Sequence, residues 1–232
     1  MKRIHILDTI RGLTIISMVL FHLFYNINYY HRLNFYDGTV FNRCWQLSIA
    51  LSFFVISGIT SNFLSKNKNI KRGIYISIIG FSISLFTFLF AKDQLILWGV
   101  LNGIGLSIIF GEFLKKYIKI YHWPILMIFF VLTYKIPAGN LYSISFFKSL
   151  YDKNIFPLGF PSQIFSSTDY FPLIPWIFPY LAGISLGKYL IKRDFFSYRG
   201  KENLISKIGR HSMTIYLAHQ IILYPLVSFI FK

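Results

Sequence analysis

Two apolar stretches of this sequence carry ionisable side chains at helical spacing. The string RGLTIISMVLFH runs from Arg11 to His22. Eleven steps make about three turns of α-helix, so the guanidinium and the imidazole share one face, about 16 Å apart along the axis. Thr14, Met18, Tyr25 and Asn26 extend that stripe. A second stripe opens at Arg210, His211 and Ser212 and continues through Tyr216, His219 and Gln220. Ser212, Tyr216 and His219 fall at i, i+4 and i+7 and so face one way. Two neutral imidazoles meeting on such faces could share a proton, hold a metal, or flank a substrate as base or nucleophile.

The elements that must position these groups are transmembrane helices. The chain has 232 residues, of which 55% are hydrophobic and only 14% charged, where a soluble domain carries nearer a quarter. Its mean hydropathy of +0.54 leaves too few ionic groups to cover a soluble globule. A hydrocarbon core of about 30 Å needs about 20 apolar residues in helix. Seven stretches meet or approach that: about 9–29, 44–64, 74–91, 95–113, 121–136, 172–190 and 212–231. Pro124 fits the first turn of the fifth. The expected fold class is an all-α polytopic bundle forming a single domain over residues 1–232, with no internal repeat.

Charge placement orients it. Of 24 Lys and Arg, sixteen, beginning with Lys2 and Arg3, fall before the first span or at or beyond the ends of the even-numbered ones. Seven, ending with Lys232, fall on the other side, and Arg11 lies within the first span. The asymmetry puts the N-terminus in the cytoplasm and the C-terminus and the 137–171 segment outside. The formal charge of +16 therefore does not mark a nucleic-acid binder, which needs a basic face on a soluble module. Asp8 and Arg11 interrupt the first apolar run, which therefore does not read as a cleaved signal peptide.

Ionisable residues at bilayer depth are costly and are functional candidates by default. The competing readings are structural. His22 and His219 could be hydrogen-bonded packing residues, Arg11 could snorkel or pair with Asp8, and His31 could be a solvated loop residue. His5, His122 and His211 belong to the interfaces, and Trp45, Trp98, Trp123 and Trp176, near span ends, read as an aromatic belt. Gly99, Gly103 and Gly105 beside Asn102 mark the fourth span as a place of close helix approach. No HExxH or Walker loop occurs, and the single Cys44 excludes an internal disulfide and a cysteine zinc site. No metal is expected.

The strings LDTIRGLTIISMVLFH (7–22), DYFPLIPWIFPYLAGISLG (169–187) and IGRHSMTIYLAHQ (208–220) resemble the heparan-alpha-glucosaminide N-acetyltransferase catalytic-domain family, most closely its short bacterial branch, a domain of unknown function. The first also resembles the wider membrane acyltransferases, where an Arg-Gly pair precedes a histidine by the same interval. The resemblance implies a multi-pass enzyme of the cytoplasmic membrane. It would take an acyl group, usually acetyl, from cytosolic acyl-CoA and give it to an amine or hydroxyl of an extracytoplasmic acceptor such as a glycan. Acetyl-CoA would be a co-substrate, with no cofactor permanently bound. Arg11 and His22 match the Arg and His of the general membrane acyltransferases. The glucosaminide enzyme has an asparagine at the His22 position and its active histidine further on, where His31 is the nearest counterpart.

The candidate catalytic residues are thus His22, His31 and His219. Arg11, Lys207, Arg210 and Asn102 are candidates for holding acyl-CoA, whose anionic phosphates the inner-face cations would attract. Asp169, Tyr25, Asn26, Tyr216 and Gln220 are candidates for the acceptor, with an N-cap of the sixth span as the alternative for Asp169. The expected partners are the bilayer, acyl-CoA and the acceptor, with no nucleic acid, and the sequence leaves room for a homodimer. A different class, a small transporter or flippase with a path lined by His22, Asn102 and His219, accounts for the same polar groups, and a non-catalytic scaffold would tolerate their loss.

Overall fold

In the described residues, 3–231 of a computed structural model, the apolar stretches fold as helices; Lys2 and Lys232, used above in the charge count, lie outside them. Nine α-helices are present among these residues: α1 (His5–Tyr30), α2 (Val40–Ser61), α3 (Lys66–Phe90), α4 (Val100–Leu114), α5 (Trp123–Thr133), α6 (Ser145–Asp152), α7 (Leu173–Lys192), α8 (Leu204–Arg210) and α9 (Ser212–Phe231). Five of them, α1, α2, α3, α7 and α9, are long and apolar enough to cross a membrane, and α4 and the Trp123–Ala138 stretch are shorter apolar helices. Each of the seven apolar stretches of the sequence has its helix. α3 starts at Lys66 rather than near 74, because lysine and arginine are good helix formers and let the helix run on past its apolar part. Pro124 sits in the first turn of α5.

The outward faces are apolar. On α3, Phe81, Leu85, Phe86, Phe88, Leu89 and Phe90 are all more than half exposed, and on α9 so are Ile221, Ile222 and Phe229. A continuous apolar surface of this kind is stable against hydrocarbon and not against water.

The chain divides into two compact units, Met1–Phe53 with Asp194–Lys232, and Phe54–Arg193, with the boundary inside α2. In the first, α1 packs on α8 and α9. Backbone meets backbone where α1 crosses α8: a Cβ on Gly209 would lie 1.8 Å from the Asp8 carbonyl oxygen, and one on Gly12 would lie 2.1 Å from that of Ile205. The glycines of the RG and IGRH strings are therefore contact points. α8 is fixed at its start by a capping box, in which Asn203 Oδ1 accepts from Ser206 N at 2.7 Å and Ser206 Oγ from Asn203 N at 2.9 Å. Ile15, Met18 and Ile49 form a core against which Trp45, Ile208, Ile215 and Tyr216 pack.

In the second unit, α4 packs on α3 and α7, and α5 on α7. The end of α2 meets α7 through glycines: a Cβ on Gly58 would lie 2.1 Å from the Tyr180 carbonyl oxygen, and one on Gly183 would lie 2.2 Å from that of Val55. Close approach of this kind is what small residues allow between apolar helices. The 137–171 segment is more than a loop. It contains α6, and Tyr151 and Phe160 close a small core with Ile136. The belt reading of the tryptophans fails for two of the four. Trp176 is buried against Phe54, Phe130 and Phe171, Trp98 is buried, and Trp45 donates to Ser17 Oγ at 2.8 Å, so that Trp123 alone of the four is exposed. Inside, Trp98 packs against Phe81 and Phe156, and Trp176 against its three phenylalanines.

Candidate functional site

α1 and α9 bring the two polar stripes together in the first unit. The rings of His22 and His219 lie 4.7 Å apart, centroid to centroid. Gln220, next to His219 on α9, reaches across to α1. Its Oε1 accepts from Asn26 Nδ2 at 3.0 Å, and its Nε2 lies 3.1 Å from His22 Nδ1. His22 and Asn26 are one turn apart, so a single amide spans both. On the other side, His219 Nδ1 is bonded to the carbonyl oxygen of Tyr216, three residues earlier in the same helix. Asn26 and His219 are buried, and Nε2 of His219 is buried without a hydrogen-bond partner. Tyr25 packs edge-on against His22 at 6.4 Å, and Tyr216 lies tilted against His219 at 5.5 Å. Five of the expected residues, His22, Asn26, Tyr216, His219 and Gln220, thus form one connected cluster. A pair of imidazoles so held can accept and donate protons to an ester- or amide-forming reaction.

His31 is not part of it. It follows the last residue of α1, is exposed, and packs edge-on against Phe231 at 5.2 Å.

At the start of α1, Asp8 collects two guanidiniums. Its side chain, 6% exposed, accepts from Arg11 at 2.7 Å and from Arg3 at 2.5 Å. Asp8 is the partner that the sequence offered for Arg11 as the structural alternative, and two cations on one carboxylate leave a net positive charge there. Lys207 is exposed on α8, and Arg210 pairs with Glu202.

Asn102 and Asp169 belong to the second unit. Asn102 is 1% exposed, neither its Oδ1 nor its Nδ2 has a hydrogen-bond partner, and α3 approaches it so closely that a Cβ on Gly80 would lie 2.1 Å from Oδ1. Asp169 does cap a helix, but not the one that follows it. Pro172 is the N-cap of α7, while Asp169 Oδ2 accepts from Val100 N, at 3.1 Å, at the start of α4. Burial pushes the Asp169 carboxyl up to about 6, against the opposing effect of that hydrogen bond.

A polar cluster in the second unit was not foreseen. Asn69 donates to Glu112 at 2.8 Å and to the Ser61 carbonyl at 2.9 Å, and Lys115 donates to the same carbonyl at 2.7 Å. Lys188 donates to the carbonyls of Lys115 and Ile118. These cations satisfy carbonyls at and just beyond helix C-termini, which explains their place without a ligand. The signal for it was Glu112, a carboxylate inside an apolar run three residues before Lys115. Among the described residues no three His, Cys, Asp or Glu side chains gather as a metal site would require.

Residues 3–221 match the family described as heparan-alpha-glucosaminide N-acetyltransferase, catalytic. No curated protein and no solved structure matches the chain.

Proposed function

Since the chain belongs to the heparan-alpha-glucosaminide N-acetyltransferase catalytic family, we propose that it transfers an acyl group, acetyl in the first instance, from cytosolic acyl-CoA to an amine or hydroxyl of an extracytoplasmic acceptor, with the His22–His219 pair as its reactive centre. What supports this most is that pair itself. Two imidazoles are held 4.7 Å apart, tilted to one another, by an amide bridge and a backbone carbonyl, and one keeps a buried ring nitrogen without a partner. An orphaned buried acceptor calls for a reason, and acid–base chemistry supplies one.

In this reading the whole chain works as one multi-pass domain of the cytoplasmic membrane with seven spans, N-terminus inside and C-terminus outside. α4, at 15 residues, rises about 22 Å, so it would cross only where the bilayer thins or with help from its flanks. The positive-inside asymmetry then puts Arg3, Arg11, Lys207 and Arg210 on the side where acyl-CoA is found. The net positive charge around Asp8 would attract the CoA phosphates, and the Arg11–His22 face would guide the pantetheine arm toward the imidazoles. A glycan hydroxyl or amine is the acceptor class this family reading favours; Tyr25 and Tyr216, flanking the two rings, would bound its place.

The test is acetyl transfer by the purified protein. Radiolabelled acetyl-CoA is supplied with glucosamine as a probe acceptor, and labelled product and free CoA thiol are both measured. The reading expects product from the wild type and loss of at least ~10²-fold in His22→Ala/His219→Ala, the usual range for removing a general base. Equal product from both proteins removes the pair from the chemistry. Solute uptake into vesicles with no thiol release would favour the transporter reading instead.

A further inference from the structure

The hydrogen bonds around the two imidazoles are not equivalent, and they fix where each neutral ring carries its proton. A backbone carbonyl can only accept, so the His219 nitrogen bonded to the Tyr216 oxygen, Nδ1, must hold a hydrogen. A neutral imidazole has one N–H, so Nε2 of His219 is left with its lone pair, and this is the buried nitrogen without a partner. His22 is held the other way round. Asn26 donates to Gln220 Oε1, which turns the Gln220 Nε2, a donor only, toward His22 Nδ1. Nδ1 of His22 therefore accepts, and its proton lies on Nε2.

We infer that His219 is the general base of the pair and His22 its hydrogen-bond donor. This rests on the acyl-transfer reading above and adds to it which ring does what. The acceptor's O–H or N–H proton moves to Nε2 of His219 as its oxygen or nitrogen attacks the thioester carbonyl carbon. The tetrahedral oxyanion is met by Nε2–H of His22, a neutral imidazole donor that need not itself ionise. Collapse breaks the C–S bond, and the proton held on His219 passes to the departing thiolate, giving CoA thiol and acylated acceptor. Atoms and charge balance, and both rings return to their starting forms. Gln220 and Asn26 are positioning residues, since they act only by holding the His22 tautomer.

Sequence spacing alone favours His22, which shares a face with Arg11. The bonds place the free lone pair on His219.

Two measurements on the 232-residue chain test this. Nitrogen-15 NMR of histidine-labelled wild type in lipid should contain a neutral imidazole with Nδ1 protonated, whose signal disappears in His219→Gln. It should also contain one with Nε2 protonated that disappears in His22→Gln and shifts in Gln220→Leu. The opposite tautomers overturn the inference. In the glucosamine assay, glutamine can replace a donor but cannot take up a proton. His22→Gln should therefore stay within ~10-fold of wild type while His219→Gln falls by ~10²–10⁴-fold. A reversed order, or equal losses, overturns the division of roles. A wild type that transfers no acetyl group overturns the acyl-transfer reading and with it the division of roles, and the NMR then judges the proton placement alone.

Discussion

Gly209→Ala should destabilise the first unit more than its small size suggests, because the methyl group has nowhere to go. Its Cβ would lie 1.8 Å from the Asp8 carbonyl oxygen and 2.6 Å from Gly12 N, and both neighbours are backbone. No side chain can rotate away, so α8 must draw back from α1 until that contact opens from 1.8 Å to at least the 3.4 Å of ordinary packing. Against this stands helix propensity, where alanine gains up to ~1 kcal/mol over glycine. Overpacking of a tight contact costs ~1–3 kcal/mol and sometimes more, and here the strain falls on the main chain. The net loss should be about 2 kcal/mol, or ~4–8 °C in midpoint for a chain of this length. The assay is size-exclusion of detergent-solubilised protein after heating, with Gly38→Ala for comparison. Gly38 has a φ of +66° and nothing within 4 Å of its Cβ position, so only its backbone conformation resists substitution, at ~1–2 kcal/mol. A Gly209→Ala midpoint equal to wild type would show that α1 and α8 do not cross at this glycine.

Three further outcomes follow from particular residues. Asp169 titrates at about 6 in the folded chain against 3.8 unfolded, so the folded state binds the extra proton between those values and its stability falls as pH rises from about 4 to 6. The midpoint of Asp169→Asn, which keeps an acceptor for Val100 N, should be flat over that range, and a wild type equally flat would refute the burial of this carboxyl. Arg11→Ala should weaken acyl-CoA binding by roughly 1.5–3 kcal/mol, the range for a hydrogen bond to a charged group; unchanged affinity by calorimetry would leave Arg11 as the partner of Asp8 and no more. In a Cys44→Ser background, single cysteines at 68 and 192–207 should be shielded from an impermeant thiol reagent in intact cells and those at 145–165 labelled. A shielded 145–165 segment would contradict the seven-span orientation.

Much of the candidate site was legible because it is written in helical spacing. Arg11 to His22, and Ser212, Tyr216 and His219, define faces without any knowledge of neighbours. Two spans carrying polar groups at similar depth must bury them against something, and each other's stripe is the cheapest partner. The helices themselves were legible for the same reason, since an apolar run of sufficient length has few alternatives in a membrane. What was not legible depends on contacts between distant segments. Asp169 stands three residues before a helix, yet its carboxylate caps α4, far back in sequence. Trp98 and Trp176 look like interfacial residues by position and are core residues because phenylalanines distant in sequence, Phe156 for the one and Phe54 and Phe130 for the other, close over them. α6 has its apolar residues in a short polar context that reads as loop, and the packing of Tyr151 with Phe160 and Ile136 gives it a core. The tautomers of the two histidines depend on Gln220 and on the Tyr216 carbonyl, neither of which announces its direction in a string of letters.

The most direct test of the account is vectorial transfer in sealed inside-out membrane vesicles. Labelled acetyl-CoA is added outside, where the cytoplasmic face is exposed, and glucosamine is trapped within. The account predicts labelled N-acetylglucosamine in the lumen of vesicles carrying the wild type, falling by at least ~10²-fold in those carrying His22→Ala/His219→Ala. Lumenal product at the same rate from both, or product formed only from glucosamine added outside, would contradict it.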